Sequence, residues 1–359
     1  MSSQLDILAL EPFYGGGRRL MLETLIRCSR HRWTLLKLPP RRIERRLQAA
    51  AHWFAEQLSR HWVGRVDLLF TSEALNLADL YRILPALSRK PSVVYFHSNQ
   101  LPDPNAEKSH ALDFVNLNSA TAATEIWFNS LFHLRTFLNR ATALVERHPE
   151  LSSRNPMQSI TSKSHLMPPP IDLSLIHDIR SAQSIRRDKH TIFVDTRDAD
   201  IRLLNSACAM LTRRGENYKL ITVGPLDDLS PDLPRTTLSE NDERSHAEAL
   251  FQSSVMISTK RDASSDHHAV RALAAGCWPV FPNSGVYPEL LPKFLHSSCL
   301  YDGSVDQLAS RVQDMWHLSH PDGYESDLER ILHQFDSIAA CKAMDDRLEE
   351  LAVVNSVKK

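Results

Sequence analysis

The chain has 359 residues, of which 42% are hydrophobic and 24% charged, and its formal net charge at pH 7 is −1. This composition is typical of a globular protein long enough for two domains, and it excludes a disordered or fibrous chain. No apolar run is long enough to span a membrane, and MSSQLDILAL leads straight into a strand pattern rather than a signal peptide. We therefore expect a cytoplasmic protein without stable membrane association.

The cysteines and histidines predict no metal site. The five cysteines are scattered and odd in number, so they fit neither a disulfide framework nor a CxxC zinc site. The seventeen histidines include no HExxH motif, and the adjacent His267 and His268 would diverge on a helix.

The near-zero net charge conceals one strongly basic segment. It carries eight more positive than negative charges and comprises Arg18, Arg19, Arg27, Arg30, Arg32, Lys37, Arg41, Arg42, Arg45 and Arg46, with Glu23 and Glu44 between them. Such a segment suits a polyanion, although a solvated helix face is an equally good interpretation.

The first half of the chain alternates apolar strand patterns with helical ones. Strands are predicted at Leu5–Leu10, Trp33–Leu38, Val66–Thr71, Ser92–His97, Glu125–Asn129 and His165–Met167, and helices at Arg18–Arg30, Arg41–Trp62 and Leu131–Leu144. This alternation predicts a parallel sheet with helices on both faces and a polar crevice along the edge where the strands end.

Three consecutive glycines, Gly15–Gly17, follow the first predicted strand in a chain with only ten glycines. Glycine there allows positive φ and close approach of a ligand, and the next helix points its N-terminus at the same place. The spacing is neither GxGxxG nor a P-loop, and a tight turn without a ligand is the alternative.

The second half repeats the pattern after a break. A polar loop is predicted over Arg147–Lys163, and Pro168–Pro170 forms a stiff connector. Further strands are predicted at Thr191–Val194, Lys219–Val223, Val255–Ser258 and Trp278–Phe281, with helices at Ile201–Arg214, Arg244–Gln252 and His268–Ala275. We expect domains at 1–167 and 168–330 that meet across a cleft, and a C-terminal helix within 331–359 that packs back on the first domain.

Five segments, taken in order, resemble one known family: LALEPFYGGGRR, LPPRRIERRLQ, YFHSNQLPDP, WFNSLFHLRTFL and AAGCWPVFPNSGVYPELLP. They are similar to segments of the tRNA-queuosine mannosyltransferases, a branch of the family 4 glycosyltransferases. The resemblance implies the α/β GT-B fold, with two Rossmann-like parallel-sheet domains facing across a cleft. It also implies retaining transfer of mannose from GDP-mannose to queuosine in tRNA, with no cofactor and no metal ion.

The same resemblance implies roles for individual residues. The expected catalytic residues are His97, Arg197 and Arg202, of which the two arginines would stabilise the leaving diphosphate. Salt bridges of these arginines with Asp195, Asp198 or Asp200 are the alternative. The expected donor-binding residues are Gly15, Gly16, Gly17, Asp262, Ser265, Asp266, His267, His268 and Arg271. The expected acceptor-side residues are Arg18, Arg19, Asn99, Asn116 and Asn129.

The chain departs from the family pattern at the donor helix. Two positions where the family carries glutamate hold Ala263 and Arg271, and a position where it carries glycine holds Asp266, whose charge opposes a phosphate. On the acceptor side, Ser98 replaces a glutamate and Arg18 a histidine. Two alternatives therefore stand beside the transferase: a degenerate relative that binds tRNA or a protein, and a family 4 enzyme with another acceptor.

Overall fold

The computed structural model describes residues 4–61, 64–98, 101–103, 112–148, 156–182, 185–239, 242–318 and 324–357. The chain divides into two compact units, one formed by Met1–Ile171 with Ser337–Lys359 and the other by Asp172–Asp336. Each unit contains a six-stranded sheet with helices packed on it. The predicted α/β class with two Rossmann-like parallel sheets is confirmed.

The first unit is built on strands β1 to β6, which pair in the order β2-β1-β3-β4-β5-β6, all parallel. The strands are β1 (Asp6–Glu11), β2 (Arg32–Lys37), β3 (Leu68–Ser72), β4 (Ser92–Phe96), β5 (Glu125–Phe128) and β6 (Ser164–Leu166). The helices between them are α1 (Gly16–Cys28), α2 (Ile43–His61), α3 (Leu77–Ile83), α4 (Asp113–Ala122), α5 (Leu131–Arg147) and α6 (Pro156–Ser162), with a 3-10 turn at Pro85–Arg89.

Both faces of this sheet are apolar, because successive side chains of a strand point to opposite faces. Leu8 and Leu10 of β1 belong to one buried cluster, together with Phe54 of α2. Ile7 of the same strand belongs to the opposite cluster, with Leu25 of α1. The sheet is therefore buried on both faces by the helices that pack on it.

The second unit repeats this architecture in the order β12-β11-β10-β7-β8-β9, again with parallel pairs. Its strands are β7 (Asp188–Asp195), β8 (Lys219–Val223), β9 (Arg235–Leu238), β10 (Ser253–Ile257), β11 (Trp278–Pro282) and β12 (Leu300–Tyr301). Its helices are α7 (Ser174–Ala182), α8 (Ile201–Arg213), α9 (Glu243–Gln252), α10 (His267–Ala275), α11 (His296–Cys299), α12 (Val305–His317) and α13 (Tyr324–His333), with 3-10 turns at Tyr287–Glu289 and Lys293–Leu295.

The last helix, α14 (Ser337–Val357), belongs to the first unit although it follows the second in sequence. Asp345 accepts hydrogen bonds from Ser29 Oγ at 2.7 Å and from the Arg30 N–H at 2.9 Å, at the end of α1. Arg347 pairs with the buried Glu125 of β5. These polar contacts fix the helix to the face of the sheet that α1 covers.

The structure corrects one predicted loop. Arg147–Lys163 includes helix α6 at Pro156–Ser162, which buries Ile160 against the first core, and α5 continues to Arg147 rather than ending at Leu144. The polar composition of that stretch concealed the helix, because a single buried residue per turn leaves little periodic signal. The predicted end of the second helix at Trp62 lies outside the described residues.

No helix within the described ranges is both long and apolar enough to cross a membrane. The same part of the chain contains no cluster of three or more histidine, cysteine or carboxylate side chains that could hold a metal ion.

Candidate functional site

Both sheets have a point at which the strand order reverses, and ligands of open α/β sheets bind outside the carboxyl ends of the strands at such points. In the first sheet the reversal lies between β1 and β3, and in the second between β7 and β10. Each of these points carries a cluster of charged side chains.

The glycine loop lies at the reversal point of the first sheet. A Cβ atom on Gly15 would lie 2.5 Å from Pro40 Cγ, and Gly16 has φ of +52°, which disfavours other residues. Helix α1 starts here without a capping side chain or an acidic residue in its first turn. Its first peptide N–H groups therefore receive no side-chain cap.

A buried carboxylate, Glu73, is the centre of the first cluster and follows directly after β3. It is 0% exposed, and it accepts hydrogen bonds from the His97 N–H at 3.1 Å and from the Ser98 N–H and Oγ at 3.0 Å each. Arg18 Nη2 forms an ion pair with the same carboxylate and donates to Ser98 Oγ at 3.0 Å. Burial alone would raise the pKa of Glu73, but Arg18 and His97 outweigh it and lower the pKa to about 2.

A second carboxylate, Glu11, ends β1 beside this cluster. It accepts hydrogen bonds from the Phe13 N–H at 2.7 Å and from Ser72 Oγ at 3.0 Å. Burial raises the pKa of Glu11 to about 7, although the charge of Arg18 partly offsets the effect. Two carboxyl groups at one reversal point thus have pKa values far apart, so one is ionised while the other titrates near neutrality.

His97, which was predicted as catalytic, and the predicted acceptor-side residues are only partly gathered here. His97 is partly buried, and its carbonyl accepts a hydrogen bond from Asn129 Nδ2 at 3.0 Å. Asn116 is fully buried, and its amide donates to the Glu73 carbonyl at 2.9 Å, so it supports the turn instead of lining an open surface. Arg19 is exposed, and Asn99 lies outside the described residues.

The basic segment divides into paired and exposed parts. Arg30 pairs with Asp346 and Glu349 of α14, and Arg32 pairs with Asp6. Further along the segment are exposed cations for which no carboxylate partner occurs among the described residues: Arg41, Arg42 and Arg45.

These exposed arginines follow the turn that packs on the glycine loop. Pro40 packs against Gly15, and the Tyr14 N–H donates a hydrogen bond to the Leu38 carbonyl at 2.9 Å. Lys37 Nζ lies 4.1 Å from the centre of the Tyr14 ring. The exposed positive charge therefore lies beside the reversal point of the first sheet.

In the second unit, Asp195 at the end of β7 holds the cations of the reversal point. It accepts hydrogen bonds from Arg197 Nε at 2.9 Å and Nη2 at 3.1 Å, and from Lys260 Nζ at 2.7 Å across the β7/β10 boundary. Burial would raise the pKa of Asp195, but Lys260, His268 and Arg197 hold it well below the usual range. Of the two arginines predicted as catalytic, only Arg197 belongs to this cluster. Arg202 is exposed on α8.

Local packing fixes the Arg197 turn. A Cβ atom on Gly224, which has φ of +105°, would lie 2.8 Å from Arg197 Cγ and 2.8 Å from Thr196 Oγ1. The Arg197 guanidinium also donates to His268 Nε2, which requires a neutral imidazole. Burial lowers the pKa of His268 to about 3, which agrees with that role.

The start of helix α10 is occupied by a carboxylate of the chain itself. Asp266 is the N-cap, accepts the Ala269 N–H at 3.1 Å and accepts the Tyr287 hydroxyl at 2.9 Å. Lys260 Nζ lies 3.7 Å from its second oxygen. The free N–H groups and positive dipole that this helix end would offer to a phosphate are thus partly satisfied from within.

The other predicted donor-binding residues do not form one constellation. Arg271 is buried and forms an ion pair with Glu243 at the start of α9, so its charge is neutralised there. Asp262 is exposed in the turn after β10, whereas Ser265 and His267 are partly buried. Gly17 is exposed on the first turn of α1.

Four residues that the structure places at the centres of these clusters were not among the predicted site residues: Glu11, Glu73, Asp195 and Lys260. Each follows a predicted strand within two residues, where ligand-binding residues of open α/β sheets occur. Their partners lie far away in sequence, so only the strand order reveals the pairing.

Comparison with known proteins gives the class and the family. A family model described as "tRNA-queuosine alpha-mannosyltransferase N-terminal" matches residues 6–171. The tRNA-queuosine alpha-mannosyltransferase of Drosophila melanogaster is 25% identical over 310 residues, which cover 80% of this chain and 82% of that protein.

Two solved structures show the same fold across almost the whole chain. A UDP-forming alpha,alpha-trehalose-phosphate synthase from Burkholderia xenovorans has a TM-score of 0.65 at 13% identity and covers 96% of this chain and 99% of its own. A sucrose-phosphate synthase from Thermosynechococcus elongatus has a TM-score of 0.66 at 14% identity and covers 98% of this chain and 100% of its own.

The two six-stranded parallel sheets and the likeness to these structures define the class, which is the GT-B fold. Within that class, residues 6–171 of the first unit match the model of the tRNA-queuosine alpha-mannosyltransferase N-terminal family. The resemblance that was inferred from the sequence motifs is confirmed at the level of the family.

Proposed function

We propose that the protein transfers a hexose, mannose from GDP-mannose, to the queuosine of tRNA with retention of anomeric configuration, without a metal ion. The observation that carries this proposal is the family match over residues 6–171, together with a relative of the same activity that aligns with most of the chain. The exposed arginines beside the glycine loop support a polyanionic acceptor, because backbone phosphates supply most of the affinity of such complexes.

The chemistry proposed for the second unit depends on Arg197 and Lys260. Negative charge develops on the diphosphate as the sugar leaves, and preorganised cations stabilise that charge more than they stabilise the ground state. Lys260 is only 14% exposed and is held by Asp195, so little reorganisation would be needed. We infer that Lys260 takes the role that the sequence motif assigned to Arg202.

The experiment is a transfer assay with a panel of nucleotide sugars and two acceptors, queuosine-containing tRNA and the same tRNA without queuosine. Nucleosides released from the tRNA are then analysed by mass spectrometry. The proposal predicts a queuosine derivative heavier by one hexose with GDP-mannose and no change in the control tRNA. A hexose found with another donor would correct the donor but keep the acceptor.

Two observations favour a second candidate, a relative that binds tRNA without transferring a sugar. Asp266 caps α10 where a diphosphate would need the peptide N–H groups, and Arg197 already forms two hydrogen bonds with Asp195. Calorimetry with GDP, GDP-mannose and tRNA separates the two functions. Retained tRNA affinity together with no heat for any nucleotide would favour the binding protein.

A further inference from the structure

The carboxylate of Glu73 accepts hydrogen bonds that do not involve Arg18. Two peptide N–H groups and one hydroxyl, from His97 and Ser98, already satisfy this buried carboxylate. Its own carbonyl accepts the Asn116 amide at 2.9 Å, and its N–H donates to the Tyr95 carbonyl at 3.3 Å. The carboxylate is therefore rigidly held by its own unit, whether or not Arg18 is present.

Arg18 is held less completely than Glu73, because only one nitrogen of its guanidinium, Nη2, forms hydrogen bonds within the described part of the chain. Nη2 contacts Glu73 and Ser98 Oγ, and the guanidinium carbon lies 5.5 Å from the centre of the Phe13 ring. Nε is buried and has no hydrogen-bond partner among the described residues. A buried N–H without a partner is rare in folded proteins, and it is satisfied when an acceptor oxygen of a ligand approaches.

The surroundings of Arg18 favour an anion as that ligand. The residue lies in the first turn of α1, which has no capping side chain and no acidic residue at its start. A fixed guanidinium recognises planar or tetrahedral oxyanions through paired N–H groups, which a lysine cannot do.

We propose that Glu73 is a positioning residue that fixes the Arg18 guanidinium so that its remaining N–H groups bind one phosphate group of a substrate. The source of that phosphate rests on the proposed function: it belongs either to the tRNA backbone beside the modified nucleoside or to the leaving diphosphate of the donor. Both sources present the same chemistry, a phosphate oxyanion.

The test compares the whole chain with Arg18→Gln, Arg18→Lys and Glu73→Gln. Arg32→Gln is the matched control, because Arg32 is a paired but exposed arginine of the same unit. Affinities for GDP, inorganic pyrophosphate and tRNA are measured at several salt concentrations without turnover. Circular dichroism establishes that each variant is folded, and the two Arg18 variants keep the test decisive if Glu73→Gln does not fold.

If the phosphate belongs to tRNA, Arg18→Gln weakens tRNA binding about tenfold and reduces the slope of log K against log salt by about one. The affinity for GDP is then unchanged. If the phosphate belongs to the donor diphosphate, Arg18→Gln lowers the affinities for GDP and pyrophosphate by a similar factor and leaves the affinity for tRNA unchanged. In both cases Arg18→Lys recovers only part of the affinity, because the charge returns without the fork geometry. Glu73→Gln follows Arg18→Gln in direction, and Arg32→Gln does not change either affinity.

Kinetics separates positioning from a merely structural ion pair. If a transfer product is observed and the phosphate belongs to tRNA, Arg18→Gln raises KM for tRNA while kcat changes less than about twofold, as expected for binding shared by ground and transition state. If the phosphate belongs to the leaving diphosphate, kcat falls as well, because charge develops on that group in the transition state. Folded Arg18→Gln protein with unchanged affinities for all three ligands overturns the proposal, even if transfer occurs. Changed affinities without any transfer support it and count against the proposed function alone.

Discussion

Replacing Asp195 with asparagine removes the carboxylate charge that Arg197 and Lys260 share at the reversal point of the second sheet. Asp195 is 3% exposed, and three side-chain donors of the two cations point at its oxygens. Breaking a buried pair from one side costs roughly 3–5 kcal/mol, because the remaining cation loses its compensating charge. Lys260 keeps a weaker partner, because its Nζ lies 3.7 Å from a carboxylate oxygen of Asp266. Arg197 is one-third exposed and can turn to water, so we expect the lower end, about 3 kcal/mol.

The assay must report on the second unit alone, because the chain has two units and need not unfold in one step. Hydrogen exchange in increasing urea, followed on peptides that cover β7 and β10, meets this requirement. With a urea dependence of about 2 kcal/mol/M, the midpoint falls by about 1.5 M.

Asp198→Asn is the matched control for this change. Asp198 is exposed three residues further along, and its φ of 57° is a conformation that asparagine tolerates as well as aspartate. The control is expected to stay within about 0.5 kcal/mol of the wild-type protein. A loss below about 1 kcal/mol for Asp195→Asn, or an equal loss for the control, would refute the argument that the buried carboxylate compensates both cations.

Two further changes test local parts of the structure. The pKa of His268 is about 3 in the folded chain, below its ordinary value of 6.5, so its stabilising contribution is complete above pH 6.5 and is lost as the pH falls towards 3. His268→Gln should remove up to about 3 kcal/mol of the acid destabilisation between pH 6.5 and 4, and an unchanged pH profile of urea unfolding would contradict this. Gly15→Ala places a methyl group 2.5 Å from Pro40 Cγ and should lower the free energy of unfolding by about 1–3 kcal/mol. The neighbouring Gly17→Ala, at an exposed helical position, should have the opposite sign, and thermal unfolding of both variants checks the pair.

The central strands could be predicted because they are apolar runs buried on both faces of a parallel sheet. Strands β9 and β12 were not predicted, because β9 is a polar, half-exposed run and β12 has only two residues. Val93, Val94 and Phe96 of β4 are all fully buried, so the run is continuous and unmistakable. Helices α3 and α4 were not predicted. Helix α4 buries polar groups such as Asn116 and Ser119 together with its apolar residues, so its sequence lacks a clear hydrophobic stripe.

The sequence predicted where the site lies but not which side chains contact each other there. Polar residues after strand ends indicated the edge of each sheet that carries the site, because parallel strands bring their carboxyl ends to one edge. The pairings could not follow from the sequence, since Arg18 and Glu73 are 55 positions apart and Lys260 and Asp195 are 65 apart. Strand order decides which of many charged residues meet, and one sequence does not reveal that order.

Sequence patterns also did not predict the direction in which a side chain points. The family resemblance implied a catalytic pair, Arg197 and Arg202, which are five residues apart, yet the N-cap Asp200 starts a new helix between them. The turn holds Arg197 on Asp195, whereas Arg202 lies on an exposed face of α8. A spacing of five residues therefore does not place two arginines at one site when a helix begins within it.

The central claim is that this chain glycosylates queuosine in tRNA, and one measurement tests it most directly. Purified protein is incubated with GDP-mannose and tRNA that contains queuosine, and the nucleosides are then analysed by mass spectrometry. We expect the queuosine peak to lose intensity while a species heavier by one hexose appears, and we expect Lys260→Met to remove the product but not tRNA binding. An unmodified queuosine peak with GDP-mannose and with every other nucleotide sugar tested would contradict it.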